Sequence, residues 1–277
     1  MIRMASFVLL IVFVGPAAAQ VASPYEPGEL FNPHPKHFLR KFGREQYRIW
    51  TSPFRASSYD AHSFRKYVIP FVAISAVLIV TDTRTDVPPN TTGQIRWSGR
   101  VSQIGAGYTL AGISGGTFLL GHVAGNDHLR ETGLLALEAL AHSQVVVFAV
   151  KQITNRSRPE QNDQKAGFWK GGNSFPSGHA ASAFSVAAVF AYEYREHIAV
   201  PITAYALASA VSASRLGARR HWFSDIFVGG STGFLLGRYV YRKHHNPNLP
   251  GSPVQRTGHL APEIGIGANG VAATWRW

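Results

Sequence analysis

Three short strings in this 277-residue chain carry the cations, imidazoles and carboxylate that phosphoryl chemistry needs. They are Lys151-x6-Arg158-Pro159, then Pro176-Ser177-Gly178-His179, then Ser214-Arg215-x5-His221-x3-Asp225. Moving a phosphoryl group requires positive charge on its equatorial oxygens, an in-line nucleophile and an acid for the leaving oxygen. Lys151 and Arg158 supply charge, and Arg215 adds a planar fork suited to bidentate phosphate contact. Asp225 can keep one nitrogen of His221 protonated and leave the other free to attack, while His179 remains as the acid.

Helix ends must position these groups. Seven residues are nearly two helical turns, so Lys151 and Arg158 are expected on one face of a helix that Pro159 stops. The small and apolar run Ala180 to Tyr192 predicts a helix starting at Pro176–Gly178. The backbone amides of Ser177 and Gly178 then lie at its N-terminus, where anions bind, and Gly178 puts no Cβ in the way of a ligand. Four residues separate His221 from Asp225, one turn of a helix. Helical runs are expected at roughly 67–81, 102–124, 133–150, 177–195, 198–214 and 221–241. His122 and His142 read as satisfied core residues, and Asp82 and Asp86 as ordinary surface residues flanking an extended loop.

Taken in this order and spacing, the strings resemble the signature of the type 2 phosphatidic acid phosphatase / vanadium haloperoxidase superfamily, which includes bacterial class A acid phosphatases. The resemblance covers residues 133 to 240. It implies an all-α helical bundle in which four helix ends converge on one pocket. Lys151, Arg158, Ser177, Gly178 and Arg215 would bind phosphate there, with His221, His179 and Asp225 catalytic. It implies hydrolysis of phosphate monoesters or lipid phosphates and diphosphates, with His221 becoming a transient phosphohistidine and His179 protonating the leaving group. One departure stands out: many members carry Gly two places before the nucleophilic His, and this chain has Arg219. Two other readings stay open. A vanadate-dependent haloperoxidase would ligate vanadate through His221, and a non-enzymatic envelope protein would keep only an anion pocket. The paired His and the Asp argue against the second, because anion capture does not need them.

The scheme needs no cofactor. Vanadate enters as a phosphate mimic, or as the cofactor in the haloperoxidase reading. The chain has no Cys and no His-Glu-x-x-His string, and its sequence shows no Asp cluster with metal-ligand spacing. Net charge is +12, which favours phosphate esters or anionic headgroups as partners, and no nucleic-acid-binding motif is present. Residues 1–19 read as a signal peptide: Arg3, an apolar stretch from Ala5 to Val14, and small residues Ala17–Ala19 before Gln20. Residues 20–65 form a polar, amphipathic extension, with Phe38, Phe42, Ile49 and Trp50 near one helical face that packs on the core or lies on a membrane. Residues 66–242 form the helical domain and 243–277 a linker and tail, with a small hairpin expected around Asn269-Gly270. The expected location is the cell envelope, on the periplasmic side, with membrane association or embedding left open.

Overall fold

A computed structural model describes residues 35–51, 62, 64–84, 91–161, 166–253, 263–267 and 270–274. The predicted signal peptide, the start of the extension, Asp86 and the chain end after 274 lie outside the described residues. The helices are α1 (Pro35–Thr51), α2 (Ile69–Thr81, entered through a π-helical turn at Phe64–Val68), α3 (Thr92–Ser102), α4 (Gly107–Val123), α5 (Asp127–Thr154), α6 (Gly178–Glu193), α7 (Ala199–Gly217) and α8 (Phe223–His244). Strands β1 (Glu263–Gly267) and β2 (Gly270–Thr274) pair antiparallel with Gly267 opposite Gly270, in the tail where a hairpin is expected. The architecture is the expected helical bundle.

Local signals set the boundaries. Asn126 caps α5 by accepting from Leu129 N, and Asn155, in the left-handed conformation with φ 41°, ends it. Thr91 and Gln94 form a reciprocal capping box that starts α3. That helix was not expected, because its polar residues Gln94, Arg96 and Arg100 break the apolar run. Helix α5 also runs further than the sequence suggests. Its N-terminal His128 and Glu131 are buried, each with a partner, and do not interrupt it. The extension does pack inward: Ile49 and Glu45 of α1 are buried, and Glu45 meets Nε2 of His142 at 3.1 Å. His142 is a satisfied core residue as expected, but His122 is exposed with its neighbours Leu120 and Val123 near the end of α4, so it is not the core residue that the sequence suggests.

Helix α6 lies at the centre, against α5, α7 and α8. Its approach to α8 is set by Gly229, Gly233 and Gly237, one per turn on α8. A Cβ built at Gly233 would stand 2.1 Å from the Ala181 carbonyl oxygen, and one at Gly237 would stand 2.3 Å from that of Ser185. These are backbone atoms, so the helices would have to separate. Gly233→Ala is therefore expected to cost about 3 kcal/mol, the upper part of the overpacking range, read as a lower denaturant midpoint at unchanged m-value.

Among the described residues, two segments, Phe64–Thr81 and Asp127–Thr154, are long and apolar enough to cross a membrane. The second is mostly buried within the bundle, as a core helix is. The first is largely uncovered, with Ile69, Ile74, Val77 and Val80 exposed.

Candidate active site

The C-terminal end of α5, the N-terminus of α6, the C-terminal end of α7 and the N-terminus of α8 come together. Lys151 sits in the last turn of α5, and its ammonium donates to the Asn173 carbonyl. Arg158 is not on that helix, contrary to the sequence expectation, because the left-handed Asn155 turns the chain out before it. The loop then folds back on the helix end. Ser157 N donates to Gly167 O, Trp169 N to Thr154 O, Gly172 N to Asn155 O and Ser174 N to Arg156 O. This ladder carries the chain from the first string to the second.

Ser177 caps α6, its hydroxyl accepting from Ala180 N at 3.4 Å. Its own amide was expected to face phosphate, but it donates to the Asp225 carbonyl at 2.9 Å. The close α6–α8 contact causes this, since Gly229 lets α8 lie against the Ser177 backbone. The amides of Gly178 and His179, in the first turn, have no intrahelical acceptor and remain for an anion. A Cβ at Gly178 would meet only Val147 Cγ1, at 3.6 Å, so the fold does not itself require glycine there. The free space suits a ligand.

Arg215 lies buried in the last turn of α7 and donates to Ser102 Oγ at 3.0 Å. Arg219 follows with φ 55°, the left-handed region that glycine enters without a Cβ clash. That accounts for a glycine at this place in many members of the resembled family. Arg220 is exposed and pairs with Glu160 at 2.6 Å.

His221 is buried just ahead of α8, which begins at Phe223. The His221–Asp225 contact therefore crosses a helix cap, and is not the one-turn pair within a helix that the spacing suggests. Nδ1 of His221 lies 3.4 Å from Asp225 Oδ2, longer than a formed hydrogen bond and short enough to tighten around a ligand. Asp225 Oδ2 also accepts from Trp222 N at 2.8 Å and from the Ser174 hydroxyl.

Behind Asp225 lies a group that the sequence did not reveal. Arg156, wholly buried, donates from Nη1 to Asp225 Oδ1 and Ser224 Oγ, both at 2.6 Å, and from Nη2 to Asp82 Oδ2 at 2.7 Å. Its guanidinium lies 4.7 Å from the Phe168 ring centroid, with Phe175 and Trp222 also close. Asp82 is 1% exposed and accepts from Ser224 N at 3.1 Å, so it is an internal anchor, not a surface residue. Helix α2 ends facing α8, which buries the residue that follows it.

The electrostatics fit a base and an anion cradle. Burial pushes Asp225 up, but Arg156, His221 and Ser174 outweigh it and hold the carboxyl down at about 2. Burial lowers His221 to about 4 against the pull of Asp225, so its ring is neutral at pH 7 with a lone pair available. His179 falls to about 3, first by burial and then through Arg215, His221, Lys151 and Arg158. Groups from all three strings therefore lie close enough to act on this one ring. Lys151 falls to about 8, by burial and then Arg158, against Asp225. A bound dianion offsets the fields on His179. Inorganic phosphate is therefore expected to bind with net proton uptake near neutral pH, and more weakly above pH 8 as Lys151 loses its charge. Calorimetry in two buffers of different ionisation enthalpy reads the uptake; binding with no proton exchange would contradict the assignment.

A family model described as PAP2 superfamily matches residues 132–249. A lipid A 1-phosphatase of Porphyromonas gingivalis is 40% identical over 70 residues, 25% of this chain. The match spans only 16% of that protein's length. Among solved structures, Aquifex aeolicus LpxE aligns with TM-score 0.43 and 20% identity, covering 59% of this chain and 92% of that one. A transmembrane PAP2 type phosphatidylglycerolphosphate phosphatase from Bacillus subtilis aligns with TM-score 0.42 and 20% identity, covering 65% and 88%.

Proposed function

We propose that this chain, whose residues 132–249 match the PAP2 superfamily model, is a phosphatase of the cell envelope that hydrolyses a lipid phosphate through a phosphohistidine. The observation that carries the reading is the buried His221 ring with its Nδ1 3.4 Å from Asp225 Oδ2, beside the cations that also act on His179. Lys151, Arg158 and Arg215 hold the phosphate oxygens, with the Gly178 and His179 amides at the start of α6. Nδ1 of His221 faces Asp225, so Nε2 attacks phosphorus. The bond to the leaving oxygen breaks as His179 gives it a proton. Water, deprotonated by the now neutral His179, then cleaves the phosphohistidine and restores both rings.

A lipid substrate is favoured by the apolar surface beside the site. Phe148 and Ile153 flank Lys151 on α5 and are exposed, and exposed Val80 precedes Asp82 at the end of α2. An acyl chain or bilayer against this rim leaves the phosphate within reach of the cations. The lipid A 1-phosphatase relative supports the same substrate class. The reading of residues 1–19 as a signal peptide supports export and a periplasmic site. No metal takes part in the proposed chemistry.

The test is hydrolysis by the purified mature chain of lipid phosphates in mixed micelles and of soluble monoesters, with EDTA present. Turnover of the lipid substrate, competitive inhibition by vanadate and an initial rate unchanged by EDTA are expected. Peroxide-dependent halide oxidation in added vanadate, without ester hydrolysis, would overturn the reading in favour of a haloperoxidase.

A further inference from the structure

The end of the bundle opposite the phosphate site holds a second concentration of chemistry. His128, Glu131, Glu138 and His142 recur on α5 at helical spacing, and all four are buried. Among the described residues, two groups have ligand atoms within 4.8 Å of one another: Glu131 with Glu193 and His245, and Glu45 with Glu138 and His244. The second group already holds a cation, because Lys243 Nζ lies 3.1 Å from Glu45 Oε1. The first group has no such lysine. The positive partners acting most strongly on Glu131 and Glu193 are His245 and His128.

We propose that Glu131, Glu193 and His245 bind a divalent transition-metal ion of the zinc class, with His128 as a supporting partner through Glu193. His245 Nδ1 lies 3.1 Å from Glu193 Oε1 and 3.5 Å from Glu131 Oε1. Ligands on a tetrahedral ion with bonds of about 2.0–2.1 Å stand roughly 3.3–3.4 Å apart, so His245 is already near coordination spacing from both carboxylates, and all three ligand atoms lie within 4.8 Å of one another. One imidazole nitrogen facing two carboxylates can donate a single proton, whereas a divalent ion matches both charges. Glu131 is fully buried, and its second oxygen, Oε2, has no hydrogen-bond partner. That leaves a buried acceptor unpaired, a costly arrangement that a cation would relieve. His128 Nε2 lies 3.0 Å from Glu193 Oε2, the place of an outer-shell histidine that orients a ligating carboxylate. The chain after α8 closes over the group: Asn246 N donates to Glu131 Oε1 at 2.6 Å, and a Cβ at Gly251 would stand 3.4 Å from the His128 ring.

The site's role is structural. Glu131 is 20 residues from Lys151 along α5, about 30 Å at the helical rise, too far to touch a phosphate bound there. The ion joins the start of α5, the end of α6 and the residue after α8.

The test uses the untagged full chain, stripped with chelator and then given Zn2+ alone or Co2+ alone. One Zn2+ per chain is expected, with a thermal midpoint about 5–10 °C higher at hundredfold excess over Kd. Co2+ should show the intense visible bands of a four-coordinate site. Glu193→Gln and His245→Gln should lose both responses, and Glu138→Gln in the neighbouring group should keep them. An unchanged midpoint of the stripped wild-type chain on adding Zn2+ would overturn the proposal and leave a proton-linked His–Glu network. A Zn2+ response that survives Glu193→Gln would also overturn it. Because the wild-type comparison needs no variant, a folding failure of either substitution does not blunt the test.

Discussion

Replacing His221 with alanine is expected to lower kcat by at least a factor on the order of 10^4, while KM stays within a few-fold. The ring is 3% exposed and faces Asp225, so its removal deletes the proposed nucleophile without touching the proposed cation cradle. Lys151, Arg158 and Arg215 stay in place, and the variant should still bind vanadate. Steady-state assays on a lipid phosphate, with acid-quench trapping of labelled phosphate on the wild-type chain, check both halves. Near-wild-type turnover by the alanine variant would remove the covalent scheme. Retained binding with no trapped phosphate on active wild type would replace it with direct attack by water.

The second large effect is on stability. Arg156→Met should destabilise the fold by about 3–5 kcal/mol, the range for removing one partner of a buried ion pair. Asp82 and Asp225 would be left facing each other across an apolar side chain. The loss should depend on pH in a definite direction. Asp225 is held at about 2, below its usual value, so its contribution is fully present above about pH 4. It disappears as pH falls toward 2. The stability gap between wild type and Arg156→Met should therefore be widest near neutrality and narrow in acid. Urea titrations at pH 7, 4 and 3 measure it. A gap that does not vary with pH would mean that Arg156 acts by packing against Phe168 and Trp222, not by charge.

Parts of this arrangement were legible from residue order alone, and the reasons differ by element. The site strings were readable because each is tied to a helix terminus, and Pro176, Ser177 and the small residues after them announce such an end locally. The α3 start carried a signal too, Thr91-x-x-Gln94, which hydrophobic periodicity overlooks. Asn155 could have placed the end of α5 before Arg158, since Asn enters the left-handed C-terminal position more easily than most residues. The Asp82–Arg156–Asp225 group was not legible. Its members lie 74 and 69 residues apart in sequence, and only the packing of α2 against α8 makes Asp82 internal. Arg156 also sits among the six positions that the first string leaves unspecified between Lys151 and Arg158, where nothing in the sequence marks it as different from a solvated cation. The Ser177 amide was misassigned because a glycine on another helix decides its partner.

The buried guanidinium also bears on how the protein folds. Asp82, Arg156, Ser174 and Asp225 come from four stretches of chain, and their contacts can form only after the long loops between them have closed. A partly folded chain, even one with every helix formed, would have His221 without its oriented carboxylate. Loss of activity in denaturant should thus coincide with global unfolding and not precede it, unlike sites carried on loops that open locally. A fragment limited to residues 132–249 would contain all three strings and lack Asp82. A chain that keeps Asp82 against Arg156 must extend beyond the segment that the family model matches.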